Sequence, residues 1–303
     1  MANGRDDGRG GSCYFCSIGV ASALLCRLDR ITMNHAPHTN VAIRAARQAG
    51  LKAVDLFRNR HELEIRSKAY GEWVSNADTT VEREILYHLK RGYPQFGIQA
   101  EESGWQSEGA ERHWIVDPID GTDNFLHGVP HFAISIALAE GETLLSGVVF
   151  DPVGDELYVG ERGRGAFLND RRIRVGQNRL LARALLATGF PTKHKEVLGP
   201  YLDSFRLLCA ASHGIRRQGS AALDLCYTAD GRYDGFWESG LAPWDMAAGV
   251  LIVQEAGGLV TDFAGENQFL RSGELVAASA AIHGRLLEKV QESKLYCGNI
   301  EPF

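Results

Sequence analysis

The segment Trp114-Ile115-Val116-Asp117-Pro118-Ile119-Asp120-Gly121-Thr122-Asp123-Asn124-Phe125 constrains this chain more than any other. Its apolar start reads as a strand, and its end carries two carboxylates. Pro118 fixes the bend between the two acids, and Gly121 lets the backbone come close to a ligand before Thr122 opens a helix or turn. Asp117 and Asp120 are thereby delivered to one strand end, where carboxylate oxygens can hold hard cations. The amides of Gly121 and Thr122 at a helix start can bind a phosphate. Taken alone, Asp-Pro-x-Asp-Gly is equally well a turn in which Asp and Gly serve only the backbone.

Two further acidic segments stand at comparable places. Ala100-Glu101-Glu102-Ser103 closes an apolar run about sixteen residues earlier, and Pro243-Trp244-Asp245-Met246-Ala247-Ala248-Gly249 sets a carboxylate at a later helix start. Acidic segments at three element ends can converge on one site.

From Val41, apolar residues recur through Ala45, Ala49, Val54 and Phe57, a spacing that predicts a helix over about 41–60. Thr79 followed by Glu82 reads as a capping box, so a second helix is expected to end near Gly92, before Pro94. Between Trp114 and Val175, short apolar runs are broken by Gly, Asp and Pro, the pattern of a largely antiparallel sheet. Beyond about residue 180 strands and helices alternate, with helices expected near 200–211, over 220–229 and over 244–256. The expected organisation is an α+β half over 33–178 and an α/β half over 179–303, packed together.

Residues 1–32 run apolar from Cys13 to Cys26 and end in Arg-Leu-Asp-Arg before Met33. A secretion signal is one reading, but Asp6 and Asp7 dilute the positive region, and Ala21-Ser22-Ala23 lies inside the apolar run instead of after it. A non-native or over-extended N terminus, with Met33 as the functional start, fits better. Six cysteines in 303 residues are too few for a disulfide framework. Cys209, Cys226 and Cys297 read as reduced thiols of a cytoplasmic protein, and Cys13–Cys16 as an incidental pair without a second one. No apolar stretch reaches the roughly 18–20 residues that spanning a bilayer requires. With a formal charge of −6, the chain lacks the general basic footprint of a nucleic-acid binder.

Glu101-Glu102, Asp117-Pro118-Ile119-Asp120-Gly121-Thr122 and Trp244-Asp245 with Gly257-Gly258 resemble the signature motifs of the inositol monophosphatase family. The resemblance runs from about Asn40 to Glu288, through Pro130-His131-Phe132-Ala133, Ala187-Thr188-Gly189-Phe190-Pro191 and Gly219-Ser220-Ala221-Ala222-Leu223-Asp224, and its wording is most similar to the bacterial SuhB-type branch. It implies a layered αβαβα sugar-phosphatase fold of mixed α+β and α/β character. It further implies two or three Mg²⁺ ions: one on Glu101, Asp117 and the Ile119 carbonyl, a second on Asp117, Asp120 and Asp245, and a weaker third reached through water by Glu101 near Asp78. In the mechanism so implied, Glu101 and Thr122 orient the attacking water and accept its proton, and the Gly121 and Thr122 amides hold the phosphate. The leaving oxygen is stabilised on the Asp120 and Asp245 side, and Glu238 with Gly219-Ser220-Ala221 reads the substrate hydroxyls. Glu238 also fits an ordinary surface strand carboxylate. Asp123 departs from the small neutral residue common in the family and is expected to face solvent.

The reaction implied is hydrolysis of myo-inositol 1-phosphate by a lithium-sensitive homodimer. Related esters stand as alternatives: 3′-phosphoadenosine nucleotides, fructose 1,6-bisphosphate or histidinol phosphate. A non-enzymatic role in a ribosomal RNA transcription antitermination complex is a third reading, with Arg216-Arg217 as a weak local candidate for such contacts. Scattered histidines without His-Glu-x-x-His spacing argue against a zinc hydrolase, and the lack of Gly-x-Ser-x-Gly and Gly-Lys-Ser/Thr against serine-hydrolase and P-loop chemistry.

Overall fold

In the computed structural model, which describes residues 35–293 except 70–71, 108 and 192–196, the chain begins with helix α1 (Pro37–Arg58). The reading of residues 1–32, the Cys13–Cys16 pair and Cys297 lies outside the described residues. Helix α1 starts earlier than the apolar spacing predicts because Pro37 occupies its first turn, where a missing N–H costs nothing. The buried face also differs from the one expected. Ala42, Ala45, Ala46, Ala49 and Ala53 are inside, whereas Val41, Val54 and Phe57 are only part-buried, so small side chains set the helix against its neighbours.

Strands β1 (Ile65–Ala69) and β2 (Glu72–Ser75) pair antiparallel and lead into helix α2 (Asn76–Gly92). Its capping box is not the expected Thr79–Glu82. The Ala77 amide donates to Ser75 Oγ at 3.1 Å and the Ser75 amide to Asp78 Oδ2 at 2.8 Å. Ser75 closes β2 in the extended conformation that an N-cap needs, so the helix starts there and Thr79 falls inside its first turns.

Next come β3 (Gly97–Ala100), β4 (Gly104–Gln106), β5 (Arg112–Asp120), helix α3 (Thr122–His127), β6 (Ala133–Glu140), β7 (Thr143–Asp151), β8 (Glu156–Glu161), β9 (Gly165–Leu168) and β10 (Arg171–Arg172). These strands form an eight-stranded sheet in the order β10-β9-β8-β7-β6-β5-β3-β4, antiparallel as expected except for the β3–β5 pair. Strand β5 continues past Pro118, and its pairing with β6 slips between Asp117 and Asp120. Proline has no N–H to give a ladder, so it sits where the register is irregular.

The second sheet draws on β11 (Leu185–Thr188), β12 (Gly214–Arg216), β13 (Gly235–Ser239), β14 (Gly258–Thr261) and β15 (Glu274–Ser279), in the order β12-β11-β13-β15-β14. The β12, β11 and β13 strands run parallel, as an α/β layer requires, while β15 runs antiparallel to its neighbours. Helices α4 (Leu198–Ala211), α5 (Ala221–Ala229), α6 (Pro243–Glu255), α7 (Phe269–Ser272) and α8 (His283–Glu292) connect or follow these strands.

Five layers result. Helices α1 and α2 pack on the eight-stranded sheet, α5 and α6 lie between the two sheets, and α4 and α8 cover the second sheet. Helix α6 is buried without a break from Met246 to Val253; a helix with no polar face needs partners on both sides, and here it has a sheet on each. At Gly147 of β7 a Cβ would lie 2.5 Å from the Ala248 carbonyl oxygen, so α6 rests its backbone directly on the sheet. This sandwich brings the end of β5 and the starts of α5 and α6 together. Among the described residues, no helix is long and apolar enough to cross a membrane, and Cys209 and Cys226 are free thiols.

Candidate metal and substrate site

Asp117 and Asp120 project from the end of β5, and Asp245 from the first turn of α6. One carboxylate oxygen from each lies within 4.8 Å of the others. Each acid is fixed by its own backbone surroundings. The Ile119 amide donates to Asp117 Oδ1 at 2.9 Å, and the Ala242 amide to Asp245 Oδ2 at 2.7 Å, the second tying Asp245 into the start of its helix. Asp120 lies at the N-terminus of α5, where its Oδ2 accepts from the Ala222 amide at 2.8 Å and from the Ser220 hydroxyl in a short contact.

Glu101, at the turn after β3, hydrogen-bonds to Asp117. Its turn is held by a residue that sequence reasoning passed over as a cap, Glu82 of α2. The Glu82 carboxylate is buried and accepts from the Glu102 and Ser103 amides at 2.9 and 3.1 Å. On the other flank, the Thr122 hydroxyl lies 3.1 Å from the Ile119 carbonyl oxygen and 3.3 Å from Asp78 Oδ1. A hydroxyl has one proton, so it serves one of these acceptors at a time. Asp123 is exposed, as expected.

Gly121 makes the N-terminal turn of α3 with φ of 97°, a left-handed conformation that favours glycine. A Cβ there would sit 3.1 Å from the Gly219 carbonyl oxygen, so the two glycine loops are packed against one another. Asn124 fastens them: its side-chain amide donates to the carbonyls of His131 at 2.8 Å and Gln218 at 2.7 Å.

Beside the acids lies a cavity of about 150 Å³, walled by Asp120, Asp245, Gly219, Ser220, Ala221 and Glu238 among others. Glu238 is therefore no surface carboxylate. Asp224, Arg217 and Ser239 also line the cavity and were not singled out as site residues from the sequence. The available signal was an acid, Asp224, inside the apolar run Ala221–Cys226. Arg217, expected as a partner contact, faces this cavity and packs its guanidinium 5.7 Å from the centre of the Phe190 ring.

Burial first, and then repulsion from Glu101, Asp120 and Asp245, pushes Asp117 well above the usual carboxylate range. Burial and Asp245 raise Asp120 to about 7 against the hydrogen bonds from Ser220, Ala222 and Ala221. Glu238 is raised to about 8 by burial and Asp245, with Arg217 opposing. Such crowding is costly without a compensating charge. An all-oxygen donor set fits a hard divalent cation of the Mg²⁺ type.

A profile of the inositol monophosphatase family matches residues 34–295. A protein named Nus factor SuhB from Pseudomonas aeruginosa is 46% identical over 260 residues, covering 84% of this chain and 96% of its own. An inositol-1-monophosphatase from Rhizobium meliloti is 46% identical over 254 residues, covering 83% and 95%. Among solved structures, the extragenic suppressor protein suhB of Bartonella henselae superposes with a TM-score of 0.80 at 44% identity, covering 86% of this chain and 98% of that one.

Proposed function

The chain belongs to the inositol monophosphatase family, and from that premise we propose that it is a Mg²⁺-dependent phosphomonoesterase whose substrate is myo-inositol 1-phosphate. The observation that carries the reading is the meeting of Asp117, Asp120 and Asp245, from two distant elements, within 4.8 Å beside a polar cavity. Glu101, Asp117 and the Ile119 carbonyl would hold one Mg²⁺, and Asp117, Asp120 and Asp245 a second, with Glu101 sharing a weaker third near Asp78. Bound there, the cations supply charge neutralisation and Lewis-acid activation of water.

The chain's own residues do the rest. Thr122, held between Asp78 and the Ile119 carbonyl, orients the attacking water together with Glu101; the water's proton goes either to the Glu101 carboxylate or, as Thr122 passes its own proton on, to Asp78. The Gly121 and Thr122 amides, left without helical partners at the start of α3, hold the phosphate oxygens. Glu238 and the Gly219-Ser220-Ala221 loop hold the inositol hydroxyls in the adjoining cavity, which keeps the scissile ester aligned. By the same family reasoning the protein is cytoplasmic, homodimeric and inhibited by Li⁺. Assay of a panel of monoesters with Mg²⁺, with and without Li⁺, tests the reading: a preference above about tenfold in kcat/KM for another ester would replace inositol as the substrate.

Relatives named Nus factor SuhB support a second reading, a binding role in transcription antitermination. Hydrolysis is the stronger one, because a scaffold has no use for three converging carboxylates. A pull-down of the transcription elongation machinery with Asp117→Asn separates the two, since a scaffold survives that change.

A further inference from the structure

Glu82 is a buried acid that the mechanism above does not use. It lies on α2, is 3% exposed, and gives each carboxylate oxygen to one of two successive amides: Oε2 accepts from Glu102 at 2.9 Å and Oε1 from Ser103 at 3.1 Å. Polar groups taken out of water have to be hydrogen-bonded, and charge-assisted bonds to amides are among the stronger ones, so this contact fixes the turn it reaches. That turn carries Glu101, whose own amide donates to the Val116 carbonyl of β5 at 3.1 Å. The consecutive amides of Glu101, Glu102 and Ser103 are therefore fastened on two sides, to the strand that bears Asp117 and to α2. The same helix holds the other flank of the site. Asp78 stands one helical turn before Glu82, about 6 Å along the same face, and its Oδ1 lies 3.3 Å from the Thr122 hydroxyl.

We propose that Glu82 is a positioning residue for the cation site at Glu101: with Asp78 it makes one face of α2 a ruler that sets Glu101 and Thr122 at a fixed separation across the attacking water. This rests on the metal-dependent reading above, and Glu82 acts through Glu101. The need for such a device is electrostatic. Glu101 lies beside Asp117 and repels it, and Glu102 adds a second acid to the same turn, so in the metal-free protein a loose turn would swing Glu101 outward. Two amides anchored on a helix hold it in place before the cation arrives, which removes the ordering that a loose ligand undergoes on binding. The geometry ranks the substitutions. Asp is one methylene too short to reach both amides, Ala leaves both unpaired, and Gln keeps one acceptor while setting its NH₂ against the other amide.

The test is Mg²⁺ binding by titration calorimetry, with no substrate present, in wild type, Glu82→Gln, Glu82→Asp, Glu82→Ala, Glu101→Ala and the double variant of Glu82→Ala with Glu101→Ala. Glu82→Ala and Glu82→Asp should raise the Mg²⁺ dissociation constant by about tenfold or more, and Glu82→Gln by less. In the Glu101→Ala background, Glu82→Ala should change it by under about twofold, since a residue that acts through Glu101 has nothing left to position. An equal loss in both backgrounds shows a merely structural role and overturns the proposal. So does wild-type binding in Glu82→Asp with the full loss in Glu82→Gln, which assigns the effect to charge. If Glu101→Ala binds Mg²⁺ as tightly as wild type, the metal reading of Glu101 falls and the proposal with it. If Glu101→Ala weakens binding and Glu82→Ala does not, the proposal alone falls. Hydrogen exchange in the wild type covers variants that fail to fold: the Glu102 and Ser103 amides should be protected without Mg²⁺, and exchange at the rate of an open turn overturns the proposal.

Discussion

Each acid of the cluster is set by a different local device: Asp117 by the Ile119 amide beside a proline-marked irregularity, Asp120 by the start of α5, and Asp245 by the first turn of α6. None contributes apolar packing. Asp117→Asn and Asp245→Asn should therefore keep the fold, shown by an unchanged circular dichroism spectrum, and lower phosphate release by at least about a hundredfold. In the metal-free protein, Asp117→Asn should melt no lower than wild type, because it removes a charge that burial and three neighbouring carboxylates disfavour. Added Mg²⁺ should raise the melting temperature of the wild type and not of the variant; an equal rise in both would remove Asp117 from the metal site. Asn124 acts through geometry, since it ties α3 to the loop before Gly219. Asn124→Ala should cost about tenfold in kcat/KM by loosening that alignment, which steady-state kinetics will read.

At the scale of elements, the clearest device outside the site is the start of α1. Glu161, at the end of β8, accepts from the Ala36 amide and the Thr39 hydroxyl at 2.7 Å each, and pairs with His35 at 3.0 Å. Burial alone would raise this carboxyl, but the hydrogen bonds from His35, Thr39 and Ala36 hold it at about 2. A carboxyl depressed in the folded state gives stability above its unfolded pKa of about 4.3 and loses it as pH falls toward its folded value. Glu161→Gln should therefore cost about 1–2 kcal/mol at neutral pH, the scale of a lost N-cap, and flatten the stability decline between about pH 4.5 and 2; denaturant melts across that range will check it. This cap was invisible in the sequence because its donor and acceptor lie 125 residues apart. The Ser75 cap of α2 was missed for another reason: Thr79–Glu82 has the same spacing as Ser75–Asp78, and the end of β2 decides between them. Helices α5 and α6, by contrast, were legible from continuous apolar runs, although those runs do not say that each is enclosed by two sheets.

For the whole molecule, function depends on the layered sandwich, since β5 from one sheet and α6 from between the sheets supply the acids of one cluster, and the start of α5 holds one of them. The sequence displayed the acids and their motif, and so the cluster itself. The cavity that would decide the substrate was less legible, because Asp224, Ser239 and Arg217 acquire meaning only from where α5 and β13 come to lie. Chelation should accordingly abolish turnover while leaving the apolar layers folded, and restored Mg²⁺ should return it. The most direct measurement is phosphate release from myo-inositol 1-phosphate across a Mg²⁺ titration, for wild type and Asp117→Asn side by side. We expect release that rises with Mg²⁺ from a negligible value in chelator and that Asp117→Asn loses; release independent of Mg²⁺, or equal in the two proteins, would contradict the assignment.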